Sequence, residues 1–205
     1  TAAALAEQIA GQKAALCVVG TRRRARELYE LLPEQGRYHL STLMTPRDRE
    51  RTLDEIRARL RAGETCRVVS TSLIEAGVDV DFPTVWREIA GLDSILQAAG
   101  RCNREGKRSA DESVVHIYTP DGSIPKAFQQ QVEAAQDVLA KYEDPNTRAA
   151  IAAYFKKLFW MRGDDALDSK NVRQHEDSFE FRQTANVFEI IPKETMTVYI
   201  PTSGN

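Results

Sequence analysis

Cysteine is scarce in this chain of 205 residues, with only Cys17, Cys66 and Cys102, widely spaced and odd in number. No zinc-ligand or redox-pair spacing results. Cys17 and Cys66 lie inside apolar runs, so buried, reduced thiols are expected. The three histidines, His39, His116 and His175, are equally isolated, which argues against a metal centre built on them. No window approaches the ~20 apolar residues of a membrane span. The opening TAAALAEQIAGQKAAL lacks the basic leader and long apolar core of an export signal, so a cytoplasmic setting without membrane partners is expected. Initiator Met is absent too. With a helix-like opening and a strand-like close (TVYIP), the chain reads as a piece of a longer protein. Finally, no G-x-x-x-x-G-K-[ST] occurs, so the chain has no phosphate-cradling loop with its lysine.

What is present suffices for a core: 42% of residues are hydrophobic and 28% charged. The net charge of −2 hides an asymmetry. Residues 1–110 hold 18 Lys+Arg against 15 Asp+Glu, and residues 111–205 hold 10 against 15, so any polyanion is expected on the first half. The arginines at 22–24, 26 and 47–61 read by themselves as solvated helix faces.

Short apolar runs at 15–19, 38–44, 66–71, 84–89 and 113–118 read as strands. Between them, 22–32 has helical leucine spacing stopped by Pro33. Thr45-Pro46 opens a helix that Gly63 closes. Strands alternating with helices over short loops predict an α/β fold with a parallel sheet covered on both faces. Such sheets bind ligands at the carboxyl ends of their strands, where Thr21, Ser41-Thr42 and Ser70-Thr71 fall. Beyond Pro120, segments 124–142 and 147–160 read as helices and 162–178 as loop. Phe179, Phe181, Phe188, Ile190 and Ile191, then Thr197–Ile200, read as two short strands or docking segments, with the aromatics expected in the core.

Chemistry concentrates in residues 70–108. Gln97, Gly100, Arg101 and Arg104 fall at offsets of zero, three, four and seven, which is one face of a helix if Asp93 caps it. An amide, a glycine and two arginines make a poor core face. They suit a phosphate chain, since guanidinium forks match phosphate oxygens and glycine admits close approach. Upstream, a strand ending at Thr71 leaves hydroxyl and N–H groups for a phosphate, and Gly77 permits a sharp turn. Asp79 can accept from a sugar hydroxyl or orient an arginine. Asp79 and Asp81 can equally end a surface loop before Pro83.

These blocks resemble superfamily 2 helicases: STSLIEAGVDVDFP is similar to their motif V and QAAGRCNREG to their motif VI. With HLSTLM at 39–44 and VVGTRRRARELYELL at 18–32, they are most similar to the CRISPR-associated helicase-nuclease of type I interference systems. The resemblance spans about 15–118 and thins to hydrophobic pattern over 148–201. It implies a second RecA-like lobe at 1–120, then a helical linker and the start of a C-terminal accessory domain at 121–205. It further implies an ATP-dependent 3′-to-5′ single-stranded DNA translocase that degrades invading DNA, recruited by a crRNA-guided surveillance complex. Arg104 is then the arginine finger and Arg101 its companion on the γ-phosphate. Gln97, Gly100, Gly77 and Asp79 line the nucleotide cleft, and Thr71, Thr21 and Thr42 touch DNA. Gly20 departs from the Asn that many members carry before the Thr. ATP with Mg2+ is implied to sit mainly on a first lobe, which together with the nuclease domain lies outside these residues. The alternatives are a lobe of another DNA or RNA helicase or translocase, or a non-catalytic binding module. A His usually opens motif VI in DEAD-box RNA helicases, where this chain has Gln97.

A chain that offers only the arginine side of a two-lobed site is expected to hydrolyse no ATP alone. A phosphate-release assay on the purified chain checks this, and robust turnover contradicts it.

Overall fold

The computed structural model describes residues 1–75 and 77–188. They fall into two units, Thr1–Leu158 and the remainder from Phe159.

The first unit is built on five parallel strands: β1 (Ala14–Val18), β2 (Arg37–Leu40), β3 (Cys66–Ser70), β4 (Thr84–Glu88) and β5 (Val114–Tyr118). Their order is β2-β3-β1-β4-β5. Strand residues alternate between faces, and the partition is clean. Leu16, Val18, Val68 and Val85 pack with Leu53 and Ile56 of α3 (Pro46–Ala62) and Ala98 of α4 (Leu92–Ala99). Ala15, Cys17, Val69 and Trp86 pack with α1 (Ala2–Ala10) and α2 (Arg22–Leu31). This is the RecA-like α/β fold with helices on both faces. A third core joins Leu92 and Ile95 to Val132, Ala135 and Val138 of α5 (Gln129–Lys141) and to Ala150, Tyr154 and Leu158 of α6 (Arg148–Arg162). Residues 129–158 are therefore packed on α4 within the first unit.

Local chemistry explains the element ends. The Thr45 hydroxyl caps α3 by accepting from Asp48 N at 3.1 Å, Pro46 occupies the first turn, and Gly63 closes the helix in the left-handed region at φ 62. β2 is shorter than expected, ending at Leu40 because the chain turns at 41–44, where Met44 N donates to Ser41 O. α4 begins at Leu92 with Gly91 as its N-cap. Asp93 does not cap it but accepts from the Tyr154 hydroxyl at 3.1 Å. Cys17 and Cys66 are buried and free as expected, and burial pushes both thiols up to about 12. Among the described residues no helix is long and apolar enough to cross a membrane.

In the second unit, 162–178 is not plain loop. It holds α7 (Asp164–Leu167) and α8 (Val172–Asp177), the latter opened by the Asp168 carboxylate accepting from Val172 N and Arg173 N. The strand expected around Phe181 is the helix α9 (Phe181–Val187). Phe179, Phe181 and Phe188 are 79%, 65% and 61% exposed, so the expected aromatic core is not formed by them. The strand residues Ile190, Ile191 and Thr197–Ile200 lie outside the described residues.

Two glycines with positive φ separate space from conformation. A Cβ on Gly36 (φ 71) would sit 2.3 Å from the Thr65 carbonyl oxygen, whereas one on Gly63 would meet nothing within 4 Å. Gly63→Ala is expected to cost about 1 kcal/mol, and Gly36→Ala more than the ~1–3 kcal/mol of backbone strain alone. Urea unfolding of the two variants checks the order.

Candidate nucleotide and nucleic-acid site

The strand order sets the geography. To pass from β3 to β4 the chain must step over β1, and residues 71–83 make that crossing with, among the described residues, only one short 3-10 turn, Ser72–Ile74. One end of the segment lies at the carboxyl edge of the sheet. The other feeds the start of β4, beside α3 and the turn after α4.

At the carboxyl edge, Thr42, Thr71 and Thr21 follow three neighbouring strands, β2, β3 and β1, and so form a row. Their availability differs. Thr42 is exposed. Thr21 caps α2, its hydroxyl oxygen accepting from Arg24 N at 3.2 Å. Thr71 is 7% exposed; its N–H donates to Leu40 O, and its hydroxyl is enclosed without a partner among the described residues. The expectation that Thr71 leaves its N–H and hydroxyl free is thus corrected: the neighbouring strand takes the N–H.

At the other end, Asp79 and Arg104 meet in an ion pair of 2.7 Å, Nε to Oδ1. Their side chains are 79% and 43% exposed, so the pair lies open to solvent. No partner among the described residues engages the two terminal guanidinium nitrogens of Arg104. Asp79 is thus paired with an arginine in this structure. Gly77 at φ 70 supplies the left-handed turn before it, with open space around.

The helical face expected for residues 97–104 is not formed. α4 ends at Ala99 with Gly100 as its C-cap, so of the four residues only Gln97 is helical. The chain then leaves to bridge Phe82: Phe82 N donates to Arg101 O and Asn103 N to Phe82 O, both at 2.9 Å. Gly100 sits at φ −64 and ψ 1, which demands no glycine. Gln97 and Gly100 are exposed. Arg101 is 8% exposed and points inward, its Nε donating to Ile74 O at 3.1 Å and an Nη to Glu75 O at 2.6 Å. Burial first, then the Arg104 charge, hold its guanidinium below its ordinary value. Among the expected residues, the fold brings together Gly77, Asp79, Arg101 and Arg104. Thr21, Thr42 and Thr71 form a separate row.

Two buried carboxylates were not expected. Glu75 meets Arg87 at 2.8 Å with both side chains under 10% exposed. The contact is a charge pair rather than an aligned hydrogen bond, since Glu75 Oε1 and Arg87 Nε keep no hydrogen-bond partner among the described residues. Burial pushes the Glu75 carboxyl up, and Arg87 only partly offsets that. Glu88 accepts from Gly20 N at 2.9 Å and binds the Arg24 guanidinium. A Cβ on Gly20 would lie 2.9 Å from Glu88 Oε1, so this carboxylate accounts for the glycine here. Arg24 is therefore not part of the solvated arginine face. Glu88, Arg24, Arg87 and Thr21 line a crevice of about 240 Å³ between the ends of β1 and β4, where the chain direction switches. The signal in sequence is faint: a Glu closing an apolar strand run.

Removing Arg87 strands a buried charge, so Arg87→Gln is expected to destabilise by ~3–5 kcal/mol, and Glu75→Gln/Arg87→Gln by less. A double-mutant cycle in urea measures this, and a double variant worse than Arg87→Gln contradicts it.

The sequence profile described as CRISPR-associated nuclease/helicase Cas3, C-terminal, matches residues 11–107. The CRISPR-associated nuclease/helicase Cas3 of Haloferax volcanii is 31% identical over 193 residues, covering 80% of this chain and 20% of that protein. Among solved structures, T. fusca Cas3 with ATP superposes with a TM-score of 0.61 at 16% identity, over 91% of this chain and 24% of that one. A chain in a CRISPR RNA-guided surveillance complex, pre-nicking, gives 0.53 at 17% identity, over 85% of this chain and 25% of that one. The sequence thus spans about a fifth of the curated relative. Residues 11–107 match the C-terminal region of the Cas3 nuclease/helicase family, and the sheet they help build has the RecA-like fold of a helicase lobe.

Proposed function

We propose that this lobe supplies the arginine side of an ATPase site that drives 3′-to-5′ movement along single-stranded DNA. The parent protein would act in CRISPR type I interference, degrading invading DNA. Residues 1–120 would be the motor lobe proper, with 121–205 as linker and accessory segment. The observation that carries the reading is the open Asp79–Arg104 pair, at the far end of the segment that starts at Thr71.

Arg104 fits a γ-phosphate: it is exposed, and only its Nε is engaged among the described residues. A phosphate oxygen can take the remaining nitrogens, or replace Asp79, and an arginine so placed is worth about 10³–10⁵ in rate. Asp79, released or shared, is placed to hold a sugar hydroxyl, with Gly77 keeping the turn open. Gln97 and Gly100 stand on the exposed end of α4 nearby. Arg101, with its donors turned to Ile74 and Glu75, serves here by holding the crossing segment. Among the described residues no group of three His, Cys, Asp or Glu could hold a metal. Mg2+ with the triphosphate would rest mainly on a first lobe, supplying charge neutralisation on the phosphates.

DNA would lie along the Thr42, Thr71 and Thr21 row. The unpartnered Thr71 hydroxyl is the kind of buried group that a ligand satisfies. Recruitment by a crRNA-guided surveillance complex is supported by the fold shared with the chain from such an assembly.

In the complete protein, Arg104→Ala is expected to lower DNA-stimulated ATP hydrolysis by at least about 10³-fold. Single-stranded DNA binding should stay within about twofold, because Arg104 is remote from the threonine row. Hydrolysis assays beside fluorescence anisotropy at one fixed salt concentration measure both. Unchanged hydrolysis removes the finger assignment and favours a binding module.

A further inference from the structure

The turn that carries Arg104 is braced by groups to which none of the roles above has been given. Asn103 occupies the left-handed region at φ 48. Its carboxamide closes the turn from both sides: Nδ2 donates to Arg108 O at 2.7 Å, and Oδ1 accepts from Arg108 N at 2.9 Å. Asp81 reaches the same turn from the crossing segment. Its Oδ1 accepts from the backbone N–H of Arg104 at 2.7 Å, and its Oδ2 pairs with Arg108 Nη1 at 2.8 Å. The Asp81 side chain is only 13% exposed. Residues 104–107 thus stand out between two fixed points, with the peptide of Arg104 itself anchored.

We infer that Asp81, assisted by Asn103, is a positioning residue for Arg104. The inference rests on the reading of Arg104 as the finger. Two acids of one segment have separate roles. Asp79 engages the guanidinium, which must be free to change partners, and Asp81 fixes the backbone from which it swings. A carboxylate is suited to the second role because a charge-assisted bond to a peptide N–H is short and strong. The consequence is kinetic. A reacting group displaced by an ångström loses up to about 10²-fold in rate, while a substrate held mainly by the other lobe binds as before.

The test uses the complete ATP-hydrolysing protein with single-stranded DNA present. Asp81→Ala is expected to lower kcat about 10- to 100-fold, with the KM for ATP within about twofold. Asp81→Asn, which keeps an oxygen for the Arg104 N–H, should recover part of the loss. Asn103→Gly keeps the left-handed backbone but removes both side-chain bonds. It should show the same kcat-only pattern, and it carries the test should Asp81→Ala fail to fold. In an Arg104→Ala background, Asp81→Ala should add less than about twofold, because there is no finger left to position. The inference is overturned if Arg104→Ala abolishes hydrolysis while Asp81→Ala leaves kcat within twofold. It is equally overturned if the Asp81→Ala loss multiplies undiminished onto Arg104→Ala. Unimpaired hydrolysis by Arg104→Ala itself overturns both readings together.

Discussion

The strand order β2-β3-β1-β4-β5 imposes one constraint from which most of the chemistry follows: the link from β3 to β4 must cross the end of β1. Elsewhere in the sheet an α-helix makes the crossover and satisfies its own backbone. Among the described residues of 71–83 there is only a single 3-10 turn, so carbonyls facing the interior need partners from outside. Arg101 is that partner. Its guanidinium donates to Ile74 O and Glu75 O, and its own carbonyl accepts from Phe82 N. One residue after α4 thereby fastens both ends of the crossing segment. An aliphatic side chain there would leave buried carbonyls unpaired, at a cost of about 1–3 kcal/mol each.

The same constraint explains why charge is buried in a lobe that could have packed with hydrocarbon. Glu75–Arg87 and Glu88–Arg24 both tie a loop at the carboxyl end of the sheet to β4 or to its last residue. Such pairs contribute little net stability, because desolvation offsets attraction. What they add is register. Glu75 can face Arg87 only if the 3-10 turn is seated, and Glu88 can take the Gly20 N–H only if the β1–α2 turn lies against β4. Glycine at 20 is then a consequence of a carboxylate approaching too near for a Cβ.

Much of this is legible in the sequence, and the failures have physical causes. Thr45, Pro46 and Gly63 announce α3 because capping is a short-range interaction that residue type alone nearly decides. The inner strands β1, β3 and β4 are legible because both faces are buried, so the apolar runs are continuous. The spacing of Gln97, Gly100, Arg101 and Arg104 picks out two arginines that meet the crossing segment, but with the wrong geometry. Offsets of zero, three, four and seven fit a helix, but a long-range bridge to Phe82 and the left-handed Asn103 end it at Ala99. Asp81 resembles a loop terminator for the same reason, its partners being 23 and 27 residues away. Alternation over Phe179–Phe188 suggests a strand. The segment instead holds a short helix with exposed aromatics, a case where period two and a helix of under two turns cannot be told apart by pattern.

Taken together, the contacts tie the crossing segment to its surroundings at several points. Thr71 is held to β2 through Leu40 O, Glu75 to β4 through Arg87, residues 74–75 to the α4 exit through Arg101, and Asp81 to the Arg104 turn. Asp79, by contrast, offers its side chain mainly to solvent, with one partner that is itself exposed. The buried ties cannot be released singly without leaving a charge or a carbonyl unsatisfied. The exposed Asp79–Arg104 pair can change partners without that cost.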